Sequence, residues 1–331
     1  MTRLLSSLNK IALTCGDTDG VGLEVAAKAL VHLASDISDK KVVFFLFRSA
    51  AAEKKQKYLL KQLDSKFVRL TFSSLQQSLL FLSTLQNRSQ LPQNFLIDLS
   101  LNASPAEWVL EASLGCQNRL LDSLVTGPLS KKLTVKLKGR PIGHTGIFRQ
   151  LYPKNELHMA FIGSDFNVIL ATDHIALIDV EKSLSLSKFK AAIAASEQLR
   201  GLLKSNKKIA VVGLNPHAGE DGLIGHFEKK MSPHLNNLKF DGFLSPDAAF
   251  LKKNLNRYSL FLALYHDQGL IPFKMHHGQD SGVHVTMGLP FVRTSVDHGT
   301  ATDIFNKNLA NPQSMIEAIL LNLKLLGVRN V

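Results

Sequence analysis

Short apolar runs alternate with helical patterns along most of this chain, and that alternation constrains its fold more than any other feature. Lys10–Thr14, Val42–Phe47, Val68–Phe72, Asn94–Leu99 and Ser123–Thr126 read as strands. Helical patterns fall between them, at about Leu23–Leu33, Ala51–Leu63 and Leu75–Leu85. Ser104-Pro105-Ala106-Glu107 combines a cap residue, a proline at the first helical position and an acid in the first turn, so a helix is expected from there to about Leu121. A βαβα rhythm of this kind calls for a parallel sheet covered by helices. The middle of the chain differs. His158–Ile162, Phe166–Thr172 and His174–Val180 look like paired strands with short turns, an antiparallel element. A helix at Ser187–Lys204, a strand at Lys208–Gly213, strand-like residues over Gly282–Val296 and a helix at Pro312–Leu326 follow. At 331 residues the chain suits two domains of roughly 100–200 residues each, so two α/β domains sharing a cleft are expected.

Composition narrows the classes of function. No apolar run approaches the ~18–20 residues that span a bilayer, and Met1 to Lys10 carries no apolar signal-peptide core. Cys15 and Cys116 are the only cysteines and have neither redox nor zinc-ribbon spacing, so a cytoplasmic protein is expected. The net charge of +12 admits either nucleic acid or anionic metabolites as partners. The basic residues are dispersed in pairs such as Lys54-Lys55, Lys207-Lys208 and Lys252-Lys253, with no basic arm and no basic-aromatic interleaving. That favours solvated faces with a few phosphate-binding residues, and no nucleic-acid or membrane partner.

In open α/β sheets, ligands bind beyond the carboxyl ends of strands. Four strand-like runs end in stretches dense in Gly, His, Asp or Asn. Ile11 to Glu24 carries Gly16, Gly20 and Gly22, which do not make the GxGxxG spacing; it either lines a cleft with backbone N–H groups or is a plain strand-to-helix turn. Val125 to Lys132 leads to Pro141–Phe148, where His144-Thr145 sits in a Gly-flanked turn. Lys207 to Gly222 runs into Asn215-Pro216-His217-Ala218-Gly219-Glu220, with Gly219 permitting a sharp turn. The apolar run Phe261–Tyr265 stops at His266-Asp267, and buried strands seldom end so unless those groups have partners. With His174, three histidines near strand ends fit a site of three neutral imidazoles; spacing alone leaves satisfied structural histidines open as well.

Seven motifs appear in order over nearly the whole chain: GD-x-x-G-[IV]-G at Gly16 to Gly22, TGP-[IL]-SK at Thr126 to Lys131, GHT at Gly143 to Thr145, LNPHAGE-x-G at Leu214 to Gly222, YHDQGL-x-P-x-K at Tyr265 to Lys274, GLPF-x-RTSVDHGTA at Gly288 to Ala301, and Asp303-Ile304. As a set they resemble the 4-hydroxythreonine-4-phosphate dehydrogenase family, NAD-dependent enzymes of pyridoxal phosphate biosynthesis. The resemblance implies an isocitrate/isopropylmalate dehydrogenase-like α/β fold with a cleft between two domains. One domain, residues 1–128 and 270–331, is built from both chain ends; the other, residues 129–269, carries much of the metal site and dimer contact. It implies a homodimer whose active site lies at the subunit interface. His174, His217 and His266 take the place of the ligands of a divalent metal. His144, Thr145, Lys274, His284 and Arg293 fall at substrate positions, and Asn215, Gly219, Glu220, His298, Gly299 and Thr300 at cofactor positions. Lys274, Asp247 and Asp267 are the candidate catalytic groups.

The implied reaction oxidises 4-phosphohydroxy-L-threonine with NAD or NADP to 2-amino-3-oxo-4-phosphooxybutanoate, which decarboxylates to 3-amino-2-oxopropyl phosphate. A divalent cation lowers the pKa of a hydroxyl and so prepares its carbon to lose hydride. Three imidazoles suit zinc or cobalt, and Asp247 or Asp267 nearby admits a harder ion such as magnesium. Lys as a point charge and Arg as a planar fork suit a small phosphorylated substrate.

Several positions depart from the family pattern. GDPAGIGPE reads Gly16-Asp17-Thr18-Asp19-Gly20-Val21-Gly22-Leu23-Glu24, and GHTE reads Gly143-His144-Thr145-Gly146, which loses a carboxylate. Pro-Ala-Asp-Thr keeps Asp247 but is otherwise changed, and the Asn of GVN is His284. Ala-Gly-Lys-Gly after Asp303-Ile304 reads Phe305-Asn306-Lys307-Asn308. Gly146 and His284 would carry a change of substrate toward threonate or erythronate 4-phosphate. Phe305 with Asn306 is the argument for a metal- and phosphate-binding homologue without NAD chemistry, since bulk there obstructs close backbone approach to a dinucleotide.

Overall fold

The apolar runs become twelve strands in the computed structural model, which describes residues 8–37, 41–85, 87, 90–235, 239–278 and 282–328. They are β1 (Asn9–Thr14), β2 (Val42–Ser49), β3 (Val68–Phe72), β4 (Phe95–Leu101), β5 (Ser123–Thr126) and β6 (His158–Ile162), then β7 (Asn167–Leu170), β8 (Ile209–Val212), β9 (Phe240–Leu244), β10 (Leu260–Ala263), β11 (Val283–Met287) and β12 (Val292–Ser295). The expectation for Met1 to Lys10 lies outside the described residues up to residue 7. The chain divides into one unit of Met1–Tyr152 with Leu289–Val331 and a second of Pro153–Gly288. The boundaries expected at 128/129 and 269/270 are therefore displaced toward the C-terminus. The cause is helix packing: helix Gly143–Leu151 buries Ile147 and Phe148 and packs on helix Pro105–Gln117 of the first unit, whereas helix His266–His277 packs on β7 and β10 of the second.

In the first unit the strands run in the order β3-β4-β2-β1-β5-β12, all neighbours parallel. β1, β2, β4 and β5 are buried almost throughout, which is why they read as unbroken apolar runs. A charge network crosses this apolar layer. Arg48 of β2 donates to both oxygens of Asp98 on β4 at 2.7 Å each, and Arg69 of β3 donates to the same carboxylate. Bidentate geometry of this kind is what a buried ion pair needs to offset its desolvation. The expected helix start is present as a capping box: Ser104 N–H donates to Glu107 Oε2 at 2.7 Å, and Ser104 Oγ accepts from Glu107 N–H at 3.4 Å. That helix ends at Gln117 rather than near Leu121. Buried Asn322, on helix Gln313–Leu325, donates to Leu124 O at 3.3 Å and to Thr294 Oγ1 at 3.2 Å, and so fastens β12 beside β5.

The second unit runs β11-β6-β7-β10-β8-β9, with β11–β6 and β6–β7 antiparallel and β7, β10, β8 and β9 mutually parallel. Phe161, Phe166, Phe261 and Phe273 anchor its core. The third strand expected at His174–Val180 is absent: those residues bend into a 3-10 turn at Leu177–Asp179 and a short helix at Val180–Ser183. Ile175, Leu177 and Ile178 are exposed, so their apolar pattern marks a surface rather than a core face. Ala171 N–H donates to Ala263 O at 2.8 Å and Thr172 Oγ1 to Leu264 O at 2.7 Å, which holds the chain against β10 as it leaves the sheet.

Candidate active site

The strand order of the second unit gathers what the sequence scatters. β7, β10, β8 and β9 lie side by side and point the same way, and their carboxyl ends lead to His174, His266, His217 and Asp247 respectively. Neighbouring strands stand about 4.8 Å apart, so four consecutive carboxyl ends form one row of candidate ligands. The His174 and His266 rings lie 5.0 Å apart. His266 does not end the strand, as its place after the apolar run implied; it opens helix His266–His277. Its Nδ1 faces Asp267 Oδ1 at 2.7 Å, and His217 Nδ1 faces Glu220 Oε1 at 2.6 Å. A carboxylate on Nδ1 fixes the tautomer that leaves Nε2 as the ligand atom, the arrangement found around metal-bound histidines. Three imidazoles, two with orienting carboxylates, fit a divalent cation of the zinc or cobalt type. The three do not close into a set with ligand atoms within 4.8 Å; among the described residues, Asp165, His276 and His277 make such a set.

Glu220 raises the pKa of His217 by its hydrogen bond and charge, with a further contribution from Asp247. Asp247 is held below the usual carboxylate range, first by the Ser245 hydroxyl and also by the charge of His217. Asp247 is thus electrostatically part of this cluster.

His217 stands on an unusual backbone. His217, Ala218, Gly219, Glu220 and Asp221 have φ of 51°, 54°, 80°, 41° and 54°, a left-handed turn where only Gly219 signalled one. Apart from Gly219, such residues cost about 1–2 kcal/mol each and persist only where the surroundings fix them. Buried Glu228 accepts from Asn215 N–H at 2.7 Å and from Asn215 Nδ2 at 2.9 Å, and a Cβ at Gly219 would lie 2.8 Å from its carboxylate. Gln268 donates to Gly213 O at 2.6 Å and accepts from Leu264 N–H at 2.7 Å, joining the ends of β8 and β10. Glu228 and Gln268 were not picked out as site-building residues from the sequence. Gln268 falls within the Tyr265 to Lys274 motif; Glu228 lies thirteen residues from its partner Asn215 and has no local signal. Lys274 is exposed on the same helix as His266, and His284 of β11 is buried and stacked on Phe161 with ring centroids 5.2 Å apart.

In the first unit the carboxyl ends of β1, β5 and β12 pack backbone on backbone. Asp17 N–H donates to Pro128 O at 3.0 Å, Ser130 N–H to Asp17 Oδ1 at 2.9 Å and Val21 N–H to Thr300 O at 3.0 Å. Gly16, at φ 75°, allows this approach, since a Cβ there would lie 1.9 Å from Pro128 O. Arg293 of β12 is buried, donates to Thr126 Oγ1 and lies 5.3 Å over the Phe148 ring; burial lowers its pKa to about 9. His144 occupies the first turn of helix Gly143–Leu151, not a free loop. Burial, then the charge of Arg293, pushes its pKa well below the usual range, and its Nε2 is buried with no hydrogen-bond partner. A buried guanidinium and a neutral imidazole near a helix start are groups of the kind that bind anions. His298 is half-buried, with Nδ1 2.9 Å from Gly299 O and Nε2 without a partner.

The departures from the family pattern look different in three dimensions. Asn306 and Asn308, standing where glycines are usual, have φ of 62° and 58°, the left-handed region that asparagine enters more readily than most residues. The backbone conformation that the glycines would supply is thus present. Lys28 binds the Asn308 carbonyl at 3.0 Å and buried Glu24 binds Ala310 N–H at 2.7 Å, fixing this segment. A Cβ at Gly146 would lie 3.1 Å from Pro141, a tight but not closed position.

Comparison with known proteins bears on both halves. Residues 98–322 match the family described as pyridoxal phosphate biosynthetic protein PdxA. A 4-hydroxythreonine-4-phosphate dehydrogenase of Sulfurihydrogenibium sp. (strain YO3AOP1) is 33% identical over 339 residues, covering 97% of this chain and 99% of that protein. A D-threonate 4-phosphate dehydrogenase of Cupriavidus necator is 30% identical, covering 93% of this chain and 95% of that protein. The crystal structure of a 4-hydroxythreonine-4-phosphate dehydrogenase from Burkholderia phymatum superposes with a TM-score of 0.72 at 26% identity, over 96% of this chain and 98% of that one. With a family match over more than half its length and 33% identity to a relative along nearly all of it, the chain belongs to the PdxA family of oxidoreductases, and it shares its α/β fold with a crystallised 4-hydroxythreonine-4-phosphate dehydrogenase.

Proposed function

We propose that the chain is a 4-hydroxythreonine-4-phosphate dehydrogenase, oxidising 4-phosphohydroxy-L-threonine to 2-amino-3-oxo-4-phosphooxybutanoate, which decarboxylates to 3-amino-2-oxopropyl phosphate. The observation that carries this reading is the row of His174, His266, His217 and Asp247 at four adjacent carboxyl ends, with carboxylates on two of the histidines. When bound, a divalent cation supplies Lewis acidity at the substrate hydroxyl and NAD or NADP supplies the hydride acceptor. His174, His217 and His266 would hold the cation, and Glu220 and Asp267 orient two of them. Arg293, His144, Thr145 and Lys274 take the phosphate, with His284 beside the substrate. The Asn215, Gly219 and Glu220 turn and the His298, Gly299 and Thr300 segment take the dinucleotide. Lys274, Asp247 and Asp267 are the candidate proton carriers; Asp247, held below the usual carboxylate range by the Ser245 hydroxyl, is ionised and so cannot give a proton, but is a weak base.

The active enzyme on this reading is a homodimer that completes the metal site. Each candidate ligand is followed by exposed apolar side chains: Leu177 and Ile178 after His174, Leu223 after His217, Ile271 and Met275 after His266. Ile178 at 90% and Leu223 at 86% exposure belong under a second copy rather than in water. Cys15 and Cys116, both free and buried, accord with a cytoplasmic protein, and among the described residues no helix is long and apolar enough to cross a membrane.

A second reading rests on Gly146. A substrate amine meets no carboxylate from that position, and D-threonate 4-phosphate, which the Cupriavidus necator relative is named for, has none to pair. The test is NADH formation by chelator-stripped protein given each substrate, before and after divalent metal is restored. Metal-dependent turnover of the amino substrate supports the first reading, preference for D-threonate 4-phosphate the second, and turnover of neither removes both.

A further inference from the structure

Helix His266–His277 begins at a candidate metal ligand and ends at a second constellation that no family motif includes. His276 Nε2 lies 3.0 Å from Asp165 Oδ2, and His277 Nε2 lies 3.9 Å from the same oxygen. These ligand atoms all fall within 4.8 Å of one another. Around a tetrahedral zinc, with bonds of about 2.0–2.1 Å, ligand atoms stand roughly 3.4 Å apart, so the group needs only small side-chain shifts to close on a cation. His277 is already oriented: its Nδ1 lies 3.0 Å from Phe273 O and its ring packs on Phe273 and Phe166 at 4.4 and 4.9 Å. Donation from Nδ1 to that carbonyl leaves Nε2 as the lone-pair atom, directed at Asp165. Nε2 accepts a bond of 3.3 Å from Asp165 N–H, a long one of the kind that a metal can replace. Gly163 keeps the approach open, since a Cβ there would lie 2.4 Å from His277 Nε2. The last turn of the helix adds carbonyl dipoles whose negative end favours a cation.

We propose that Asp165, His276 and His277 form a second divalent-cation site of the zinc class, a clip that fastens the turn between β6 and β7 to the end of helix His266–His277. Its three protein ligands leave one position for water. The site belongs wholly to the second unit and does not depend on the dehydrogenase reading.

The test is zinc stoichiometry by equilibrium dialysis on the full chain, stripped with chelator and carrying no histidine tag. D165N/H276Q replaces the two exposed ligands and leaves the packed His277 in place, so folding is preserved. This variant is expected to bind one zinc fewer per chain than the unaltered protein. In an H266A background, which disables the candidate active-site cation, one zinc is expected to remain and to disappear when D165N/H276Q is added. Equal zinc content with and without D165N/H276Q overturns the proposal, as does an H266A chain that binds none.

Discussion

The carboxyl ends of the strands in the two units present opposite kinds of site. In the first unit Arg293 is 1% exposed and is set in place by strand pairing and a phenylalanine face before any ligand arrives. In the second, the His217 side chain is 62% exposed, rides on a left-handed turn and is oriented by a carboxylate three residues away. A buried guanidinium has its desolvation cost already met by the fold, so an anion gains the full benefit of a preorganised charge. Exposed imidazoles have little such preorganisation. On the proposed reading they depend on the cation and on a second copy to draw them together. The contrast teaches that the candidate anion-binding end is built in, whereas the proposed metal site has still to be assembled.

If so, the assembled end is the more fragile one. H266A removes the ligand from the middle strand of the row and is expected to lower metal-dependent turnover by at least ~100-fold, with no rescue by added metal. NADH formation that survives H266A would break the contrast at its base. R293K keeps the charge and loses the planar fork; KM for the phosphorylated substrate is expected to rise roughly 30-fold, about 2 kcal/mol, with a smaller change in kcat. A kcat effect without a KM effect would move Arg293 away from substrate binding.

Glu220 offers a finer cut. E220Q is expected to weaken zinc binding at neutral pH by about tenfold, because the carboxylate no longer orients His217. Its pH dependence runs the other way. Glu220 raises the pKa of His217, so protons compete with metal at a higher pH in the unaltered protein; in E220Q that pKa falls and residual binding persists to lower pH. Zinc titrations across the acid range check both signs. His144 tests the other side. Its folded pKa lies below the ordinary ~6.5, so as pH falls through that value the unfolded chain takes a proton that the folded chain refuses. The stability present above pH ~6.5 is thus lost on acidification toward the folded pKa, and urea unfolding of H144Q should show a shallower loss between pH 7 and 5.

The sequence made some of this legible and hid the rest for identifiable reasons. His217 and His266 could be found because each follows a short apolar run, and Ser104 to Glu107 because a capping box is local. The left-handed turn was visible at Gly219 alone, since His217, Ala218, Glu220 and Asp221 enter that region only under tertiary constraint. Glu228 was hidden because its partner is distant in sequence. His174–Val180 misled because apolar residues that face outward have the same pattern as residues that face a core. His144 reads as part of a free turn because its glycine neighbours mask the helix that it opens, and the charge of Arg293 that acts on it is distant in sequence.

The smallest effect bears on the least obvious similarity. Asn306 and Asn308 read as losses of glycine, yet both keep a glycine-like φ. If conformation rather than side-chain size is what those positions require, Asn308→Gly should change stability by no more than about 0.5 kcal/mol. Asn308→Val, which a β-branched side chain makes costly at φ 58°, should lose roughly 1–2 kcal/mol. Urea unfolding of the two variants separates the cases. Equal losses would mean that the asparagine side chain itself is required; a loss confined to valine would mean that the segment after Asp303-Ile304 keeps a glycine-like path with different residues, and the bulk of Phe305 alone would remain as an argument against dinucleotide binding.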